Sequence, residues 1–333
     1  MVQPRILGRV DRHEFLGRDA ELRQIARHSS GTDEARLLVL AAQPDAGASE
    51  LMRQVYDQLF ARRGEPIPIY FAFRRGDGGA HDVARRFFQT FLQQFIAYRR
   101  VDPSLCQAQL TFNDLLELAL AADYELMNNL IESFQREESS PENLFTLCLS
   151  LAQRFAAAGR MVFPLIDCLK LRPFRDEASL AHDLIMAIER AGGPLLVGGL
   201  RRQVSDLVHG FDNGGHGAFA TLHIDRLSDD RARLITDALV RHFGIKTDDA
   251  TRDLIVQQLN ASPILIGELF QAAYEKQSGL ASFREFGQLY VDDLMGGHLK
   301  RYFDRILEVV VPDPQHRRLL MRLLYESAKR ETH

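Results

Sequence analysis

The stretch Arg36–Phe60, RLLVLAAQPDAGASELMRQVYDQLF, decides the fold. Its first part, Leu37 to Ala42, is an uninterrupted apolar run of strand length. Small and turn-forming residues follow around Pro44, Ala46 and Gly47, and from Ser49 onward the apolar residues recur at helical spacing. Strand, tight loop and amphipathic helix in that order predict a βα unit of a parallel sheet. Such a loop aims a helix N-terminus outward, and the backbone N–H groups there favour an anion whatever the side chains are.

The loop lies in the register of a Walker A phosphate loop, G-x-x-x-x-G-K-[ST]. In that motif glycines let the backbone curl around phosphates, the lysine supplies charge and the hydroxyl meets magnesium. Here Gly47 and Ser49 match, Ala42 stands at the first glycine, Gln43, Pro44, Asp45 and Ala46 fill the variable positions, and Ala48 replaces the lysine. A charge-assisted hydrogen bond is worth roughly 1.5–3 kcal/mol, so losing the lysine weakens phosphate binding by about tenfold to a hundredfold. Hydrolysis suffers more, because preorganised cations stabilise the transferring phosphoryl group. Asp45 adds negative charge to the loop. No lysine precedes Lys170, which leaves Arg53 and Arg18 as candidate substitutes by proximity in sequence. The competing reading of the loop is an ordinary strand–turn–helix that binds nothing.

A chain of 333 residues with 46% hydrophobic content is ample for one or two domains with sizeable cores. Its formal charge of −4 argues against a global nucleic-acid coat and leaves room for a local basic face. The three cysteines, Cys106, Cys148 and Cys168, lack metal-ligand spacing and read as buried thiols of a reducing compartment. Without a leader pattern or a long apolar run, neither secretion nor membrane insertion is expected, and the expected location is cytoplasmic.

Upstream, Phe15-Leu16-Gly17-Arg18-Asp19-Ala20-Glu21-Leu22 leads into a helix through about His28, with Asp19 a candidate cap. This F-[LV]-G-R-[DE]-x-E-L box, about 20 residues before the loop, resembles the opening motif of STAND and archaeal-type AAA+ ATPases. The resemblance implies that Gly17 and Arg18 lie beside a nucleotide base. A second piece of it is Arg160 to Leu169, RMVFPLIDCL, an apolar strand ending in an acid like a Walker B segment. It implies that Asp167 and Ser49 would hold magnesium, while Cys168 stands where the family has the acid that orients water. A thiol serves that role poorly at neutral pH. Asp176 or Glu177 could replace it, although helix capping explains both, and Pro164 departs from the usual strand pattern. Gly193 to Gly199 followed by Arg201 and Arg202 resembles the sensor 1 strand, Leu227-Ser228 the start of the lid, and Ala261-Ser262-Pro263 the lid's G-x-P turn near the nucleotide.

Between these pieces, Pro66 to Phe73 reads as a buried strand and Arg74 to Gly79 as a solvated turn. About residues 80–158 read as an all-helical insertion, with Phe87, Phe88, Phe91, Leu92, Phe95 and Ile96 forming core. Helices are expected over Asn113–Ala122, Tyr124–Gln135 and Pro141–Ala157, the last capped by Ser140. Phe219–Ile224 is the expected last strand. Lid helices are expected over Asp229–Phe243, Asp248–Asn260, Pro263–Lys276 and Ser282–Arg301, and a basic amphipathic helix over Gln315–Arg330 after Pro312 and Pro314.

The expected architecture is α/β: a P-loop NTPase-like parallel sheet flanked by helices over residues 1–225, a helical lid over 226–311, and a C-terminal helix over 312–333. The resemblance implies a degenerate nucleotide-binding-fold protein, a regulatory or assembly component with weak or absent ATP hydrolysis. Two alternatives stay open: a working ATPase using arginine for lysine, and a nucleic-acid-binding regulator using the basic terminal helix. ATP or ADP with magnesium is the implied cofactor, with no cofactor as the other outcome. Protein partners are expected, self-association among them.

Overall fold

The computed structural model describes residues 5–12, 14–31, 35–74, 80–137, 140–167, 193–202, 204–205, 219–311 and 313–331. The chain forms two compact units, Met1–Arg226 and Leu227–His333.

The first unit is built on a five-stranded sheet of β1 (Leu37–Ala42), β2 (Ile67–Ala72), β3 (Val162–Asp167), β4 (Leu195–Leu200) and β5 (Phe219–Ile224). Its order is β2-β3-β4-β1-β5, and every pairing is parallel. It is the α/β, P-loop-like architecture expected from the loop. β1 lies inside the sheet, in six-residue register with β4 and β5, and all six of its residues are buried. Burial on both faces is why this strand reads as a continuous apolar run. Leu38, Leu40 and Ala42 join the main core, whereas Leu37, Val39 and Ala41 join a smaller core on the opposite face. Pro164 does sit within the inner strand β3. The β3–β4 register covers only Leu165 and Ile166, just beyond this residue that has no N–H to donate.

Because all strands run the same way, the ends of β1, β3, β4 and β5 fall on one edge, where open α/β sheets receive ligands. Helix α1 (Asp19–Ser29) precedes β1 and α2 (Ala48–Arg62) follows it. Gly198 of β4 packs closely against α2: a Cβ there would lie 2.6 Å from Met52 Sδ, so a side chain at 198 would have to displace the Met52 side chain.

Between the adjacent strands β2 and β3 run α3 (Ala80–Arg100), a short 3₁₀ turn (Pro103–Cys106), α4 (Phe112–Leu118), α5 (Ala121–Glu137) and α6 (Pro141–Ala157). Phe88, Phe91, Leu92, Phe95 and Ile96 are core, and Phe88 stacks on Phe134 at 4.4 Å. Buried Asp123 ties the segment together, accepting from Arg99 Nε at 2.7 Å and Arg160 Nε at 3.0 Å. The helix expected over Asn113–Ala122 ends at Leu118, because Ala119 turns extended (ψ 142°). Ser140 holds the N-cap position of α6 without a side-chain bond to it. Cys148 is buried as expected; Cys106 is only half-buried, and burial still pushes its thiol up to about 11, beside Tyr56 Oη at 3.4 Å. Cys168 lies outside the described residues.

The second unit contains α7 (Asp229–Phe243), α8 (Asp249–Gln258), α9 (Pro263–Glu275), α10 (Phe283–Gly296), α11 (His298–Val310) and α12 (Pro314–Glu331), with its own core around Phe270, Ile266 and Leu269. The single helix expected over Ser282–Arg301 is broken at Gly297. Fully buried Asp293 takes the N–H groups of His298 (3.0 Å) and Leu299 (2.8 Å) and starts a new helix there. A Cβ on Gly297 would lie 1.6 Å from Asp293 Oδ1, so the break requires glycine. Among the described residues no helix is long and apolar enough to cross a membrane.

Candidate functional site

The β1–α2 loop turns through two left-handed residues, Asp45 (φ 61°) and Gly47 (φ 81°), the second being the N-cap residue of α2. Glycine adopts that conformation freely, which explains its place there; Asp45 is among the few residue types that tolerate it. Gln43 continues the sheet edge: its N–H donates to Ile224 O at 2.9 Å, and its Oε1 accepts from Arg226 N at 3.4 Å. Pro44 is exposed and Ala46 is buried, while Ala48 and Ser49 open α2 half-buried.

The start of α2 and the end of β3 meet at Ser49 and Asp167. Ser49 Oγ donates to Asp167 Oδ1 at 3.1 Å, and Asp167 is 2% exposed. Its second oxygen, Oδ2, accepts from the Tyr70 hydroxyl of β2 at 2.6 Å. Arg53 lies one turn along α2 from Ser49, its guanidinium 5.6 Å from the centre of the Tyr70 ring and 3.5 Å from Glu50 Oε2.

Arg18 does not extend toward the loop's N–H groups. It is 5% exposed and donates to the carbonyl of Ala46 at 2.7 Å, to the carbonyl of Asp225 and to Glu21 Oε1 at 2.9 Å. A guanidinium carries five donors in a fixed fork, and here that fork ties α1, the loop and the end of β5 together. Gly17 before it is left-handed (φ 80°). Arg18, not Asp19, occupies the N-cap position of α1, with no side-chain cap; Asp19 is the first helical residue. Arg201, at the end of β4, pairs with the Asp225 carboxylate, and Arg202 is exposed beside it. Asp225 thus receives one arginine on its carbonyl and another on its side chain.

The outer side of α2 is strapped by the N-terminal segment. Ile6, Leu7 and Gly8 donate their N–H groups to Asp57 at 2.8–3.0 Å, and Arg9 and Val10 donate to Glu50 Oε1 at 2.9 and 3.1 Å. Burial raises the Asp57 carboxyl above the ordinary aspartate range, against the three N–H bonds that favour its anion.

Pro263 belongs to the second unit, where it opens α9 behind Ser262. Ala261, at the place of the resembled motif's glycine, has φ 51°. A left-handed backbone at that turn is the physical reason for a glycine in the pattern. Asp176 and Glu177 lie outside the described residues, as do Arg75 to Gly79.

Asp225, Tyr70, and Gln94 behind it, were not singled out from sequence. A tyrosine in the run PIPIYFAF looks like one more β-forming residue, and its hydroxyl contact joins residues 97 apart.

The donor chemistry suits a hard divalent cation. Ser49 Oγ and Asp167 Oδ1 lie together, and magnesium is characteristically held by one or two protein oxygens plus phosphate and water. No group of three or more His, Cys, Asp or Glu side chains fit to hold a metal occurs among the described residues. On the phosphate side, the residue at the lysine position is Ala48, and the buried guanidinium of Arg18 holds backbone carbonyls.

No protein-family model matches the chain, and no curated protein matches it. Among solved structures it is similar to the Walker-type ATPase PABY2304 of Pyrococcus abyssi, at 15% identity and a TM-score of 0.55, over 99% of this chain and 80% of that one. At that identity the likeness speaks for architecture, and the chain has the fold of a P-loop ATPase.

Proposed function

We propose that the protein is a degenerate member of the STAND/AAA+ class, a regulatory or assembly component with a residual nucleotide site and weak or absent ATP hydrolysis. The observation that carries this reading is the asymmetry of the site. On the side read as the metal side, Ser49 Oγ and Asp167 Oδ1 lie together at 3.1 Å. Its phosphate side has Ala48 for the lysine, and the buried guanidinium of Arg18 braces the loop from behind, through Ala46 O and Asp225 O. In this reading the groups of the chain divide the work as follows. The α2 N-terminus offers backbone N–H groups to an anion, Ser49 and Asp167 hold magnesium, which would neutralise phosphate charge, and Arg18 keeps the loop shaped.

Calorimetric titration with ATP and ADP, with and without magnesium, tests it on the native protein and on Ala48→Lys. The expected result is weak binding by the native chain and binding about tenfold to a hundredfold tighter by the lysine variant, with negligible turnover by the native chain. Rapid turnover by the native chain would overturn it.

A second reading, a working ATPase, is favoured by Arg53, whose guanidinium lies over the ring of Tyr70, the residue whose hydroxyl donates to Asp167. It predicts turnover that Arg53→Ala abolishes; turnover untouched by that change removes Arg53 from the role.

A further inference from the structure

Three observations converge on Tyr70. Its hydroxyl donates to the buried oxygen pair at the end of β3, 2.6 Å from Asp167 Oδ2, while Ser49 takes Oδ1. Its backbone is clamped on both sides. On one it pairs with Leu165 of β3. On the other, the open edge of the sheet, the side-chain amide of Gln94 accepts from Tyr70 N at 2.7 Å and donates to Tyr70 O at 2.9 Å. Gln94 is itself 4% exposed. The ring is further held by the Arg53 guanidinium. An edge strand has free N–H and C=O groups, and a buried glutamine satisfying both at one residue fixes that residue with the rigidity of an inner strand.

We propose that Tyr70 is the positioning residue of the metal-binding carboxylate: by holding Asp167 Oδ2 it turns Oδ1 toward Ser49 Oγ, so that both oxygens face one divalent cation. The proposal rests on the reading that Asp167 and the loop hold a metal–nucleotide complex. A cation held there would take a lone pair of Ser49 Oγ, whose proton would then turn away from Oδ1, with the Tyr70 bond to Oδ2 kept. A ligating carboxylate that is itself hydrogen-bonded is oriented in advance, and loss of such a partner typically weakens metal binding about 10- to 100-fold.

The experiment compares affinity for ADP with and without Mn²⁺ by calorimetry, with the Mn²⁺ spectrum recorded by electron paramagnetic resonance, for the native protein, Tyr70→Phe and Asp167→Asn. Tyr70→Phe keeps the ring and its contact with Arg53 and removes one oxygen. The expected result is a metal-dependent gain in affinity that Tyr70→Phe cuts at least about tenfold, leaving metal-free affinity unchanged, and that Asp167→Asn abolishes. A gain lost in Asp167→Asn and retained in Tyr70→Phe overturns the role of Tyr70 and leaves the metal reading standing. Equal weakening of metal-free and metal-dependent binding in Tyr70→Phe marks a merely structural side chain and also overturns the proposal. A gain that survives Asp167→Asn, or none in the native protein, overturns both. Should Tyr70→Phe fail to fold, Gln94→Ala, which frees the clamp, is read by the same criteria.

Discussion

Helix N-termini are treated differently at the sheet's carboxyl edge and in the second unit. Ser228, Asp248, Ser262 and Ser282 open α7, α8, α9 and α10, and each side chain accepts the N–H three residues on, at 2.6–3.4 Å. Asp293 serves α11 in the same way from the preceding helix. Within the first unit, α4, which does not border the β1–α2 loop in sequence, has a full capping box from Thr111 and Asp114. By contrast α2 opens on Gly47 and α1 on Arg18, with no side chain capping either. A cap contributes about 1 kcal/mol, so leaving one out forgoes stability. At α2 a capping carboxylate or hydroxyl would compete with an incoming anion for the same N–H groups. The difference teaches that the second unit's helix starts are closed by side chains of their own, whereas the start of α2 is left without a side-chain cap, which on the reading proposed above keeps its N–H groups for an anion.

The sharpest way to break this contrast is Arg18→Ala. It removes a buried cation from Glu21 and from two carbonyls, and breaking a buried pair on one side costs about 3–5 kcal/mol. Urea unfolding should register the loss; a change below about 1 kcal/mol would mean that Arg18 does not brace the loop. Gly47→Ala comes next. Space is open around the added Cβ, so the cost is backbone strain at φ 81°, about 1–2 kcal/mol. On the reading proposed above it also weakens nucleotide binding, measurable by the same calorimetry. Ser282→Ala should cost about 1 kcal/mol of stability and leave nucleotide affinity unchanged; a matched loss of affinity would erase the distinction between the two kinds of helix start.

The smallest effect concerns pH. The Asp248 carboxyl lies below the ordinary aspartate range because of Thr251, whose N–H donates to Oδ1 at 2.6 Å. A depressed folded value means the anion is favoured by folding. Its contribution is therefore present above the ordinary aspartate value and is lost as pH falls through the depressed one. Stability of Asp248→Asn, followed by thermal unfolding across that acidic window, should fall less steeply than that of the native chain.

Much of the architecture is legible in the sequence because the signals are local. Phe219–Ile224, Asp229–Phe243 and Pro141–Ala157 have the bounds expected from hydrophobic period and from the punctuation by serine, proline and glycine. The break at Gly297 was not foreseen, although the pair Gly296-Gly297 marks it, because its cause is a buried aspartate four residues earlier whose burial no local pattern reveals. At the site, Ser49 and Asp167 were readable as motif positions, while Tyr70 passed as an ordinary strand residue.

The sequence by itself determined the succession of strands and helices along the chain and the residue types, alanine at 48 and cysteine at 168, that stand in the resembled motifs, since these depend on residue type and spacing along the chain. Only the tertiary structure decided that Arg18 braces the loop and that Asp167 is held from two sides. Those contacts join residues 28 and 207 apart for Arg18, and 118 and 97 apart for Asp167. A side chain's partner across such separations is set by strand order and register, which no single stretch of chain encodes.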